Sequence, residues 1–214
     1  MRASVSKRTL FLAQFAMLLA IEAIVCFTPL GSLPAFGPIV ATLGMIPVII
    51  TAVVLGTGAG TAMGFFAGLF SFCVWTFTAP SPITAFVFTP VYPVPGEVHG
   101  NMVSLLICFV PRILVGAVTG ACFHLFKKLN TPAVVTYGVS GVLGSLTNTL
   151  LVMGGIYVFF GRSYAKAIGQ GFNALLGLIG LTVLTSGIPE AILGGLAAYA
   201  ICYPIQKHFS HPVE

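Results

Sequence analysis

From Leu10 to Thr28 the chain is apolar except for Gln14, Glu22 and the closing threonine, and the pattern recurs down the sequence. Runs this long, without strict alternation of apolar and polar positions, predict helices that cross a membrane. The pattern predicts six spans, at about 10–28, 39–56, 60–77, 102–126, 131–160 and 188–206. Between them lie the loop "PLGSLPAFGP" at 29–38, the tight "GTGAG" at 56–60, and "TAPSPITAFVFTPVYPVPGEVHGN" at 78–101, which carries too much proline for a helix. The segment 161–185 contains the apolar "NALLGLIGLTVL" but is expected to be external or re-entrant. A seventh crossing would put Lys207 on the opposite side from Lys127 and Lys128. The expected fold is therefore all-α: a single polytopic membrane domain over 1–214, a bundle of six transmembrane helices with both termini cytoplasmic.

Composition supports lipid as the solvent. The 214 residues are 57% hydrophobic and only 6% charged, with a mean hydropathy of +1.07, whereas soluble domains carry about a quarter charged residues. The formal charge of +5 comes from scattered residues and forms no nucleic-acid patch. Arg2, Lys7 and Arg8 precede the first span, Lys127 and Lys128 end the fourth, and Lys207 ends the last, as expected when positive flanks stay in the cytoplasm. Arg162 and Lys166 fall outside, against that rule.

One cation stands apart. Arg112 lies in the middle of "VSLLICFVPRILVGAVTGACFHLF", roughly 15 Å below the outer end of its helix at 1.5 Å per residue. A guanidinium at that depth costs about 2.5–3.5 kcal/mol to insert, so it must face the protein and find a partner. Two partners stay open: a carboxylate, Glu22 or Glu190, or the anionic group of a small solute that displaces it. Asn101, Cys108, Arg112 and Thr119 fall near one helical stripe, with Pro111 beside the arginine. Asn148, in the fifth span, and His99, beside Asn101, complete the polar candidates for binding a solute. Trp75, Phe86, Phe88 and Tyr92 are candidate apolar walls. Pro189 and Glu190 are expected to open the sixth helix, where proline and a carboxylate both suit a first turn.

Small residues recur at helical spacing: Gly56, Gly60, Gly64 and Gly68 in one ladder, Ala16 and Ala20 in another. Both allow close helix approach in lipid.

Other chemistry finds no support. "GVSG" at 138–141 resembles the serine motif of intramembrane proteases, but the only later histidines are His208 and His211 in the tail, and a serine without a base is not a nucleophile. Cys26, Cys73, Cys108, Cys122 and Cys202 have unrelated spacings, giving neither a disulfide framework nor a metal site. No nucleotide-binding loop is present, so no cofactor is expected and any ATP hydrolysis belongs to other subunits. The chain reads as no enzyme. A self-sufficient secondary carrier would need a coupling site and internal repeats; Glu22 is the one plausible proton carrier, and no convincing repeat is visible.

The step Ala16–Ala20, "FTPLGSLPAFGPI", "IPVIITAVVLGTGAG", "HGN" at 99–101, "VPRILVG" at 110–116 and "SGIPEAI" at 186–192 resemble the substrate-binding S-components of energy-coupling factor (ECF) vitamin transporters of prokaryotic plasma membranes. The likeness is greatest to pantothenate-type members, with folate-type members next. It implies a vitamin pocket on the outer side, gated by the loops after the first and third helices. It also implies that Ala16 and Ala20 contact a membrane T-component, driven by two cytoplasmic ATPases, and that the S-component topples to carry its pocket inward. Glu22 and Glu190 are expected outside the pocket or bonded to its donors, since free carboxylates would repel an anion.

Overall fold

The computed structural model describes residues 6–28 and 43–209. The loop at 29–38, residues 39–42 of the expected second span, Arg2 and His211 lie outside the described residues, and His208 lies in them only as backbone. The described residues form helices joined by short turns, with one longer non-helical segment at 78–101 that carries a single 3-10 turn, Ala85–Val87.

Helix α1 (Lys7–Phe27) starts at Ser6, whose hydroxyl accepts the Thr9 N–H at 3.1 Å. It is the least embedded helix: Glu22 is its buried residue, while Ala16, Met17, Ala20 and Ile24 are exposed. Helix α2 (Met45–Val54) is short and buried nearly all round. Gly56, at φ +99°, turns the chain into α3 (Thr57–Phe77), and only glycine enters that backbone region without strain. Helix α4 (Val103–Lys128) packs along α3 and also touches α2 and α5, so it is central to the bundle. Helix α5 spans Val134–Ala167, opening with a π-helical stretch, Val134–Val139.

Helix α6 runs from Phe172 to Lys207, with π-helical turns at Val183–Gly187 and Ala198–Cys202. This corrects the sequence reading of 161–185. Residues up to Ala167 continue α5, a turn follows, and the apolar "NALLGLIGLTVL" already belongs to the last helix. Pro189 and Glu190 consequently lie inside a helix rather than at its start. A proline there removes the hydrogen bond to the carbonyl four residues back, and the wider turn ahead of it, with Ile188 N–H on the Val183 carbonyl, takes up the change. Among the described residues five helices are long and apolar enough to span a bilayer, and α2 is a sixth, shorter apolar helix.

The glycine ladder beyond Gly56 is a packing device. A Cβ on Gly60 would meet Ala52 of α2 at 2.4 Å, one on Gly64 would lie 2.2 Å from the Arg112 carbonyl oxygen, and one on Gly68 would meet the Phe109 ring at 2.9 Å. Gly116 and Gly120 answer from α4, against the backbone of Gly60 and against Thr57. Backbones this close leave no room for side chains between them, which is how helices associate where the solvent is as oily as the contact.

The segment 78–101 is not a loose cover. Ala85, Phe86, Val87, Phe88 and Val94 are buried in a cluster with Trp75, Ile107, Val152, Ile156, Phe160 and Tyr164. Thr76 donates to Thr89 at 2.9 Å and the Tyr92 hydroxyl to the Thr76 carbonyl at 3.4 Å, tying it to the end of α3.

Candidate functional site

A cavity of about 410 Å³ opens within the bundle beneath the 78–101 segment. Every helix contributes to it. The end of α1 brings Cys26 to Thr28, α2 brings Met45, and α3 brings Ser71, Val74 and Trp75. Phe88 comes from the connecting segment and Arg112 from α4. Asn148, Thr149, Val152 and Met153 of α5 face Thr182, Ser186, Gly187 and Glu190 of α6. The walls are thus mainly apolar with few polar groups, the usual make-up of a small-molecule pocket.

Arg112 is 8% exposed and lines this cavity. Its Nη1 donates to the Ile107 carbonyl at 2.9 Å and its Nη2 to the Ser71 hydroxyl at 3.4 Å. The guanidinium also lies 5.4 Å from the centroid of the Phe88 ring, which is stacked on Trp75. Its Nε is buried and has no hydrogen-bond partner among the described residues. Glu22 is not hydrogen-bonded to it among the described residues, though its carboxylate lies within electrostatic reach. Glu22, fully buried, accepts from the Cys26 thiol at 3.2 Å. Glu190 lies in the cavity wall and accepts from the Thr149 hydroxyl at 3.4 Å. Two of the five guanidinium N–H donors are thus spent on neutral groups, at the edge of a partly open cavity whose wall also carries Glu190. Such a cation attracts an anion strongly, because the surroundings offer little competing solvation.

In the wall formed by α5 and α6, the Asn148 side chain has a buried Oδ1 with no hydrogen-bond partner among the described residues, next to Thr149 and Glu190. That wall offers acceptors, and a solute meeting both walls would carry an anionic end and hydrogen-bond donors elsewhere.

Four of the six residues picked from the sequence for solute binding meet here: Arg112, Asn148, Trp75 and Phe88. His99 and Asn101 are not in the cavity wall. His99 is exposed and its carbonyl accepts the Val94 N–H at 3.3 Å, closing a turn. The Asn101 side chain accepts the Val103 N–H at 2.9 Å, serving the first turn of α4. Of the stripe on α4, Cys108 donates to the Gly68 carbonyl and Thr119 is buried against Gly144, so only Arg112 reaches the cavity. Phe86 is buried edge-on against Phe160 and Tyr92 is tied to α3, so neither is a wall. Ser71, Thr149, Thr182 and Ser186 escaped the sequence reading. Their signal was small hydroxyl residues within apolar runs, which in lipid commonly bond their own helix, as Thr182 does to Leu178.

A family model described as "ECF transporter, substrate-specific component" matches residues 10–205 of the chain. Over 170 residues the chain is 34% identical to the pantothenic acid transporter PanT of Lactococcus lactis subsp. cremoris (strain MG1363), a match covering 79% of this chain and 80% of that protein.

Proposed function

The chain belongs to the family of ECF transporter substrate-specific components, multi-pass proteins of the prokaryotic plasma membrane, and on that premise we propose that its cavity captures pantothenate. The observation that carries this reading is Arg112, buried, hydrogen-bonded to the neutral Ile107 carbonyl and Ser71 hydroxyl, and lining the cavity. Pantothenate brings one carboxylate for that guanidinium, and its hydroxyl and amide N–H groups suit the acceptors of Asn148 and Glu190 in the α5–α6 wall. Its dimethyl-bearing carbon matches the apolar surfaces of Trp75, Val152 and Met153. The relative named for pantothenic acid agrees with this chemistry.

The chain works as one subunit of an importer. The cavity opens to the outside, both termini are cytoplasmic, and the exposed Ala16–Ala20 face of α1 docks on a membrane T-component. ATP is hydrolysed by two cytoplasmic partners and this chain needs no cofactor of its own. Release inside follows toppling of the whole body. With few fixed charges in its spans, each of which would add to the barrier, that body is suited to rotate in lipid.

Native mass spectrometry and calorimetry of the purified full chain test the reading. One pantothenate bound per chain, with no retention of folate, is expected. Binding of folate alone would replace the substrate, and proton-coupled uptake by the chain without partners, abolished by Glu22→Gln, would replace the mechanism.

A further inference from the structure

Pro111 and Arg112 are neighbours in the middle of α4, and their juxtaposition has a chemical consequence. In an α-helix the carbonyl of residue 107 accepts the N–H of residue 111. Proline has no N–H, so the Ile107 carbonyl loses its helical donor in a span where no water replaces it. Arg112 occupies that vacancy: its Nη1 reaches back along the helix and donates to the Ile107 carbonyl at 2.9 Å.

We propose that Pro111 is a positioning residue for ligand recognition: by freeing the Ile107 carbonyl it supplies the acceptor that fixes the Arg112 guanidinium at the cavity. The inference rests on the proposed function for the identity of the ligand but concerns a residue outside the cavity wall. Without a fixed acceptor the arginine's side chain keeps several rotatable bonds, and ordering it on binding would cost affinity. With the acceptor in place, Nη1 is anchored below, Nη2 rests on Ser71 and the ring of Phe88 covers one face. The cavity-lining guanidinium is thereby held in one orientation for the incoming anion. Gly64 contributes to the same end. Its missing side chain lets α3 come against the Arg112 carbonyl, so the backbone bearing the arginine is clamped as well.

The test compares pantothenate with pantothenol, in which an alcohol replaces the carboxylate, on the wild-type full chain and on Pro111→Ala. Alanine restores the N–H that competes for the Ile107 carbonyl. Pantothenate affinity is expected to fall about tenfold, the scale of one charge-assisted contact, while pantothenol affinity changes less than about threefold. Equal loss for both ligands would mean that Pro111 only shapes the helix, and no loss for either that it does nothing for binding; each overturns the inference. Pro111→Val serves the same comparison if the alanine variant does not fold. Absence of pantothenate binding by the wild type would defeat the proposed function instead. In that event the structure of Pro111→Ala decides: release of the guanidinium from Ile107 supports the positioning role, and its retention there refutes it.

Discussion

The indole of Trp75 stacks on the ring of Phe88, with centroids 4.6 Å apart and planes inclined by 26°. One residue ends α3 and the other belongs to the connecting segment, so the stack staples that segment over the cavity. Because Phe88 also lies under Arg112, replacing it acts twice, on the wall and on the cation. Cation–π contacts are worth about 0.5–2 kcal/mol, the upper value when desolvated. Phe88→Leu is expected to weaken pantothenate binding roughly three- to tenfold in calorimetry, with a smaller effect on pantothenol. Equal effects on the two ligands would make Phe88 only a wall.

Arg112→Ala removes the charge itself. Loss of more than roughly tenfold in pantothenate affinity is expected, from a protein that still elutes as a folded species, since the hydrogen bonds lost are to the Ile107 carbonyl and the Ser71 hydroxyl. Unchanged affinity would retire the site.

Gly64→Ala places a methyl group where the Arg112 carbonyl oxygen stands, 2.2 Å away and on backbone that has little room to yield. Overpacking of this sort costs about 1–3 kcal/mol. A fall of several degrees in the unfolding midpoint is expected, accompanied by weaker pantothenate binding. Gly58 has nothing within 4 Å of its added Cβ, and Gly58→Ala is expected to leave both quantities unchanged.

Ala16→Trp puts bulk on an exposed face of α1, away from the cavity. Pantothenate binding by the isolated chain is expected to stay at the wild-type level, while copurification with the T-component and ATPases is lost. A variant that still assembles would move the docking surface elsewhere.

Much of this was legible from the order of residues. The apolar helices followed from long apolar runs, and the burial of Arg112 within the bundle followed because a permanent cation has few tolerable positions in lipid. The segment 161–185 was misread because a further crossing would have moved Lys207 away from Lys127 and Lys128. Instead the segment lengthens α5 and α6, and Pro189, expected in a first turn, is absorbed inside α6 by a π-helical turn. His99 and Asn101 looked like site residues through polarity and proximity to a loop, yet Asn101 is spent on the first turn of α4. Ser71 and Thr149 carried no such advertisement. A hydroxyl in an apolar helix reads alike whether it bonds its own backbone or a solute, and only the cavity tells the two apart. The loop at 29–38 lies outside the described residues, so the expectation that it gates the pocket stands as made.

The wide turn at Val183–Gly187 accommodates one more residue than an α turn, and everything beyond it is set by that count. Inserting a residue beside Leu184, an exposed side chain whose substitution should matter little, would exceed what the turn already absorbs and rotate the following residues by about 100°. Glu190 would swing out of the wall it shares with Thr149, and Gly187 would no longer face that threonine, which a Cβ there would strike at 2.7 Å. This helix should therefore accept many spellings but no added length.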